Sequence, residues 1–264
     1  EAGNDRLFGN SGDDTLDGGT ENDIIYGGAN NDVIKGDAGN DYIYGGDGSD
    51  RAYGGDGNDT LRGSLGDDRI FGGTGNDTVI CGDGFEQILG QEGDDLFLVE
   101  VGEKQINGGQ DQDTLEFLGK SDRIVDLGQQ KYQDDFGLTV DFVNIENAIT
   151  KEGDDSITGD ASANHFWSNG GMDTLNGGDG DDTLEGGAAT DLAEFTSGAA
   201  VAVDLSAGTA EGEGSDILSG IENITTAGGN DTIIGDASDS TFLAYGGDDS
   251  LSGGGGRDHM FGGA

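Results

Sequence analysis

A nine-residue phase runs unbroken through the first half of the chain and confines it to folds made of stacked, equivalent turns. The positions Asp5, Asp14, Asp23, Asp32, Asp41, Asp50, Asp59, Asp68, Asp77, Glu86, Asp95, Lys104, Asp113 and Asp122 are nine apart and acidic, apart from Lys104. Two residues later runs an apolar series: Leu7, Leu16, Ile25, Ile34, Ile43, Ala52, Leu61, Ile70, Val79, Ile88, Phe97, Ile106, Leu115 and Ile124. Two residues earlier runs a glycine-rich series, from Gly3 and Gly12 to Gly93 and Gly102. Three residue types in fixed phase mark a structural repeat, not random low complexity.

One unit, Gly54 to Arg62, reads as a loop followed by a short strand. Its glycines allow positive φ and close approach of neighbouring chain. Thr60, Leu61 and Arg62 alternate outward, inward, outward, which is the strand period. Only Leu61 enters a core, so a unit cannot fold alone, whereas stacked units bury a continuous column. Two units make one coil with a strand on each side, and neighbouring coils sit about 4.8 Å apart. Aspartates of alternate units therefore stack on opposite edges. Carboxylates this close repel unless a cation lies between them. Carboxylate and carbonyl oxygens suit Ca²⁺, which takes six to eight oxygens at about 2.3–2.6 Å, better than Mg²⁺ with its strict octahedral demand.

The segments GGDGNDTLR (54–62), GGTGNDTVI (72–80), GGDGDDTLE (177–185) and GGGGRDHMF (253–261) resemble the repeats-in-toxin (RTX), hemolysin-type calcium-binding nonapeptide. The resemblance implies an all-β, right-handed parallel β-roll or β-helix solenoid with Ca²⁺ between turns. It also implies type I secretion from a Gram-negative bacterium, and a secreted, extracellular or cell-surface location. The competing reading is a disordered Gly/Asp linker, since net charge is −44 and 32% of residues are hydrophobic. An apolar residue at every ninth position argues against that, while disorder is expected without Ca²⁺.

Only 11 Lys and Arg oppose 55 Asp and Glu, which argues against nucleic acid and against anionic membranes as partners. No apolar run reaches the roughly 20 residues of a membrane-spanning helix, so no membrane insertion is expected. The chain has 55 Gly and no Pro, as stacked coils that use every main-chain donor require. Cys81 is the single cysteine and excludes internal disulfides. Glu1 to Asp5 do not read as a signal peptide. Both ends fall inside repeats, which leads us to expect a piece of a longer protein.

The phase divides the chain into a continuous roll (1–125), a strand-rich insert (126–150), a second roll block (151–194), a second insert (195–225) and a third block (226–264). Phase resumes at Asp155, Asn164, Asp173, Asp182 and Asp191, then at Asp231, Ser240, Asp249 and Asp258. The inserts are copies: Val125 and Leu127 correspond to Val203 and Leu205, and Ile145 and Asn147 to Ile221 and Asn223. This is a tandem duplication of about 77 residues. The solenoid is expected to continue through both inserts in enlarged turns lacking Ca²⁺.

Sites are expected where loops 18 residues apart both keep Asp. These are 5/23, 23/41, 41/59, 59/77, 77/95 and 95/113 on one edge, and 14/32, 32/50 and 50/68 on the other. Later blocks offer 155/173, 173/191 and 231/249, with Asp182 and Asp258 as further single ligands. About a dozen Ca²⁺ would cancel around half the formal charge. Glu86 and Lys104 interrupt one edge, and Lys104 reads as a local salt bridge in place of a cation. Outward Ile80, Leu89, Leu96 and Leu98 call for a cover from Tyr132, Phe136 and Phe142 of the insert, or from a partner chain. Outward Phe8, Tyr26, Tyr44, Tyr53 and Phe71 read as stacking ladders rather than a sugar platform.

Catalytic patterns are missing: His165 and His259 lie outside any HExxH motif, and there is no GxSxG elbow or Walker loop. The expected role is therefore non-enzymatic, a calcium-folded structural segment of a secreted surface-layer protein, adhesin or exoprotein. Self-assembly and cell-surface polysaccharide are the partner classes left open. The alternative role is a carbohydrate-binding accessory module of an extracellular polysaccharide-modifying enzyme, similar to the R-modules of mannuronan epimerases. A third, ice binding, lacks the Thr-x-Asn array it needs, with only Thr20–Asn22 and Thr74–Asn76 present.

Overall fold

A computed structural model describes residues 2–100, 104–134 and 139–264. Gly102 and Phe136 lie outside the described residues. Every element among them is a strand. The chain divides into two compact units, residues 1–118 with 130–145, and residues 119–129 with 146–264. Each is a β-solenoid.

In the first unit, Arg6–Ser11, Ile24–Ala29, Tyr42–Asp47, Thr60–Leu65, Thr78–Ile80, Leu96–Val99 and Thr114–Phe117 pair in that order as one parallel sheet. The alternate strands, from Thr15–Thr20 through Val33–Ala38, Arg51–Asp56, Arg69–Thr74, Glu86–Glu92 and Lys104–Gln110 to Thr139–Val143, form a second. Register advances 18 residues per coil, as in Ile25↔Ile43↔Leu61↔Val79↔Phe97↔Leu115. Buried side chains from both sheets fill the interior, Leu61 and Ile70 among them. Register fixes which face each side chain takes, because a slip by one residue would turn the whole apolar column outward.

Outward rings stack along the same register. Phe8 lies 5.3 Å from Tyr26, and Tyr53 lies 4.8 Å from Phe71, in both cases nearly parallel. Tyr44 continues the first ladder at 6.0 Å, with Arg62 over its ring.

The insert corrects one expectation. Phe142 does not cover the outward Ile80, Leu89, Leu96 and Leu98. It pairs with Ile106 and continues the interior column, buried like the rest. Tyr132 is buried too, stacked on Phe117 at 4.5 Å. Both are large apolar rings, and the column offered deeper burial than the outer face. Those four outward residues remain half-buried.

The second unit repeats the plan. Arg123–Asp126, Ser156–Thr158, Thr174–Asn176, Leu192–Phe195, Asn223–Thr226, Thr241–Ala244 and His259–Phe261 form a parallel sheet. Its other sheet contains an antiparallel excursion. Ala202–Asp204, Thr209–Glu211 and Ser215–Ser219 run up, down and up, while the outer two keep parallel partners on either side. Lys131–Asp134 and Thr139–Val143 of the first unit make the same kind of antiparallel pair. The enlarged turns thus hold a hairpin strand that alternation alone did not reveal.

The apolar series ends one unit early. Ile124 is 57% exposed, and Val125 takes the inward position. The frame has moved by one residue, so Arg123, not Asp122, occupies the buried acid position.

Candidate metal centre

Each acid position ends a loop and opens a strand, with its side chain turned into the coil interior. In the first unit Asp23, Asp32, Asp41, Asp50, Asp59, Asp68, Asp77, Asp95 and Asp113 are at most 3% exposed. Asp5 and Asp14, on the first coil, are half-buried. From the second coil of the first unit on, one carboxylate oxygen of each stacked aspartate is engaged in the same way, since Oδ1 accepts the main-chain N–H of the acid one coil earlier. Asp5 N–H donates to Asp23 at 2.7 Å, Asp59 N–H to Asp77 at 2.8 Å, and Asp95 N–H to Asp113 at 2.9 Å. The other edge does the same for Asp14 to Asp32, Asp32 to Asp50 and Asp50 to Asp68. In the second unit Asp155 donates to Asp173, Asp173 to Asp191 and Asp231 to Asp249. Every expected pair is thus in register.

The second oxygen is the chemically unsettled one. Oδ2 of Asp5, Asp14, Asp23, Asp32, Asp41, Asp50, Asp59, Asp68, Asp77, Asp95, Asp182, Asp191 and Asp249 is buried and accepts no hydrogen bond. Asp155 leaves both carboxylate oxygens, and Asp173 its Oδ2, without one, though a hydroxyl stands beside each. A buried, unpaired carboxylate oxygen costs several kcal/mol or more unless a proton or cation satisfies it.

Main-chain carbonyls approach the same places. A Cβ built on Gly27 would lie 2.5 Å from Asp32 Oδ2 and 2.6 Å from the Gly45 carbonyl oxygen. At Gly45 the corresponding oxygens are Asp50 Oδ2 at 2.5 Å and Gly63 O at 2.8 Å. Glycine five residues before the acid therefore leaves a cradle where carboxylate and carbonyl oxygens converge. An all-oxygen, partly anionic donor set suits a hard cation such as Ca²⁺. No three His, Cys, Asp or Glu side chains gather around one point among the described residues. The donors come instead as single carboxylates with carbonyls.

Burial raises these carboxyls. Asp50, Asp59, Asp95, Asp182 and Asp191 are pushed up to about 6, and Asp77 and Asp155 to about 7. Loss of water is the main cause, and stacked carboxylates add to it, while the N–H donated to Oδ1 opposes it.

Glu86 and Lys104 close one edge differently. Their ammonium and carboxylate pair with neither side chain exposed. Lys104 Nζ also donates to the carbonyls of Gly82 at 2.6 Å and Gly84 at 3.2 Å. Carbonyl and carboxylate oxygens here surround an ammonium carried by the chain.

Sequence reading missed two acids. Asp182 N–H donates to Asp216 Oδ1 at 3.0 Å, and Asp191 N–H to Glu222 at 2.9 Å. Asp216 is buried, and its carboxyl is raised to about 6. The signal was present: Asp216 precedes Leu218, and Glu222 precedes Ile224, by the usual two residues. The insert hid it by lengthening the coil. Asn164 and Ser240 keep the stacking through their own N–H groups, to Asp182 and Asp258. Also missed was a ladder of side chains one residue before the acids. Asn22, Asn40 and Asn58 each accept the main-chain N–H one coil later, at 2.8–3.0 Å. His165 and Trp167 stack on each other, and His165 Nε2 lies 2.8 Å from Glu185.

The family model described as RTX calcium-binding nonapeptide repeat (4 copies) matches residues 1–25, 17–52, 44–79, 80–115, 145–171, 167–199, 218–242 and 239–264. No curated protein matches the chain. The matched segments contain every acid expected from the nonad phase to hold metal, whereas Arg123 and Asp216 fall between them. With coils stacked in 18-residue register and matches over most of its length, this chain belongs to the RTX calcium-binding nonapeptide repeat family.

Proposed function

We propose that this chain is a calcium-folded structural segment of a secreted protein of the surface-layer, adhesin or exoprotein kind, exported by a type I system from a Gram-negative bacterium. The rows of buried aspartate Oδ2 atoms, with carbonyls converging beside those of Asp14, Asp32, Asp50, Asp59, Asp77 and Asp95, carry this reading. The ligands are Asp5, Asp14, Asp23, Asp32, Asp41, Asp50, Asp59, Asp68, Asp77, Asp95 and Asp113 in the first unit. In the second they are drawn from Asp155, Asp173, Asp182, Asp191, Asp231, Asp249 and Asp258. Bound Ca²⁺ supplies the positive charge that lets these carboxylates stack. Where Ca²⁺ is scarce, a chain of net charge −44 repels itself and stays extended for export. At millimolar Ca²⁺, binding free energy becomes folding free energy. The role is non-enzymatic.

Circular dichroism and calorimetry during Ca²⁺ titration, run against Mg²⁺, test this. The expected result is a cooperative coil-to-β transition with about a dozen Ca²⁺ bound and none with Mg²⁺. The same β-rich spectrum in excess chelator would overturn it.

One surface supports the second reading, a carbohydrate-binding accessory module. Gln87, Gln105, Asn107 and Asp141 line a shallow cleft with Leu89 and Val143 on the outer face of the first unit. Amides beside small apolar patches are the groups that hold sugars. Titration with alginate and neutral glycans decides it, and no saturable binding to either rejects it.

A further inference from the structure

The residue five positions before each acid is glycine in most coils, from Gly9 before Asp14 to Gly90 before Asp95, and again at Gly177 and Gly186. In the second unit Ala244 stands at this position before Asp249, and three further coils depart from glycine in one chemical direction. Thr150, Ser168 and Thr226 precede Asp155, Asp173 and Asp231. All three are fully buried.

Their hydroxyls stand where oxygens converge in the glycine coils. Thr226 Oγ1 donates to Asp231 Oδ2 at 2.5 Å. Ser168 Oγ donates to the Gly186 carbonyl at 2.8 Å, the counterpart of the carbonyl that meets the carboxylate beside Gly27. Thr150 Oγ1 donates to the Ser168 carbonyl at 3.3 Å. The Thr150 and Ser168 hydroxyls also lie beside Asp155 and Asp173 and pull those carboxyls down against the effect of burial. The Arg123 guanidinium also favours the charged form of the Asp155 carboxyl.

We propose that Thr150, Ser168 and Thr226 are built-in substitutes for calcium, so that the coils at Asp155, Asp173 and Asp231 close through a hydroxyl and take no cation. The inference rests on the reading of the glycine-cradle coils as calcium sites. A hydroxyl offers the same oxygens a hydrogen bond, and its Cβ and Oγ fill the space that glycine leaves open. The pairs 155/173, 173/191 and 231/249 then drop out of the calcium count. Glycines facing a carboxylate in the second unit remain at Gly177, Gly186 and Gly253, beside Asp182, Asp191 and Asp258.

The test is Ca²⁺ stoichiometry by calorimetry and equilibrium dialysis on the full chain. The variants are Thr150→Gly, Ser168→Gly and Thr226→Gly, each made singly, with the reverse graft Gly54→Ser before Asp59. Gly54 does not have positive φ, but a Cβ there would lie 2.4 Å from the Gly72 carbonyl oxygen, so Gly54→Ala is the control for crowding without a hydroxyl. Each glycine variant should gain about one equivalent of Ca²⁺, and Gly54→Ser should lose about one. Unchanged stoichiometry in the glycine variants, with wild type still binding Ca²⁺, overturns this inference alone. Absence of Ca²⁺ binding by wild type overturns the proposed function itself. Should the glycine variants fail to fold in excess Ca²⁺, Gly54→Ser read against Gly54→Ala decides: loss of one equivalent with higher thermal stability than the alanine variant supports the inference, and an unchanged count or equal destabilisation of both rejects it.

Discussion

Lys104 and Glu86 form an ion pair with no solvent exposure, at two successive acid positions of one edge of the first unit. Two main-chain carbonyls complete the ammonium's shell. Removing one partner of a buried pair is costly because it strands the other.

Lys104→Met is therefore expected to lower stability by about 3–5 kcal/mol, even with Ca²⁺ in excess. Thermal unfolding at saturating Ca²⁺ measures it. The double variant Glu86→Asp with Lys104→Asp restores the regular series, and should raise the Ca²⁺ count while making that edge sensitive to chelator.

The raised carboxyls set a pH dependence whose sign differs with calcium. In the calcium-depleted chain, folded carboxyls at about 6 to 7 hold protons that the unfolded chain releases. Stability of that state then falls as pH rises from about 4 through 7, and mild acid favours folding. With Ca²⁺ bound the order reverses, since protons compete for the same oxygens. Circular dichroism of the depleted chain should show more β structure at about pH 5 than at about pH 8. The Ca²⁺ midpoint should move to higher concentration over the same fall in pH.

Leu61 sits between Ile43 and Val79 in the interior column and is fully buried. Leu61→Ala should cost about 2–5 kcal/mol, since coils held by hydrogen bonds on both sides relax little into a cavity. Urea unfolding at saturating Ca²⁺ checks this. The stoichiometry should be unchanged, because Leu61 contributes no oxygen to a cradle.

Gly55 has φ of 121°, and a Cβ there would collide with the Asp37 carbonyl of the neighbouring coil. Gly55→Ala should destabilise the coil by more than the roughly 1–3 kcal/mol of backbone strain alone. Hydrogen exchange should show protection lost first in the strands that flank it, Val33–Ala38 and Arg69–Thr74.

Sequence by itself determined the repeat, the coil and the edge rows. A side-chain period of two within strands and a repeat of nine leave one arrangement in which Ile43, Leu61 and Val79 are all buried and Asp41, Asp59 and Asp77 are all stacked. The Lys104 salt bridge was legible too, because a cation among carboxylates has one obvious partner.

Tertiary structure decided what happens where the phase fails. Nothing local distinguishes Ile124 from Val125, and only the strand pairing of Val125 with Ile157 shows which one faces inward. Phe142 and Tyr132 looked like a cover because apolar residues outside the phase have no assigned face. Pairing with Ile106 and stacking on Phe117 placed them inside. Asp216 follows the local spacing, yet its partner Asp182 is 34 residues away, since the coil between them carries an extra antiparallel strand. Only the fold puts the Thr226 hydroxyl on Asp231. A fixed period propagates from residue to residue, whereas a break in it is resolved only by whichever distant chain segment offers burial or a hydrogen bond.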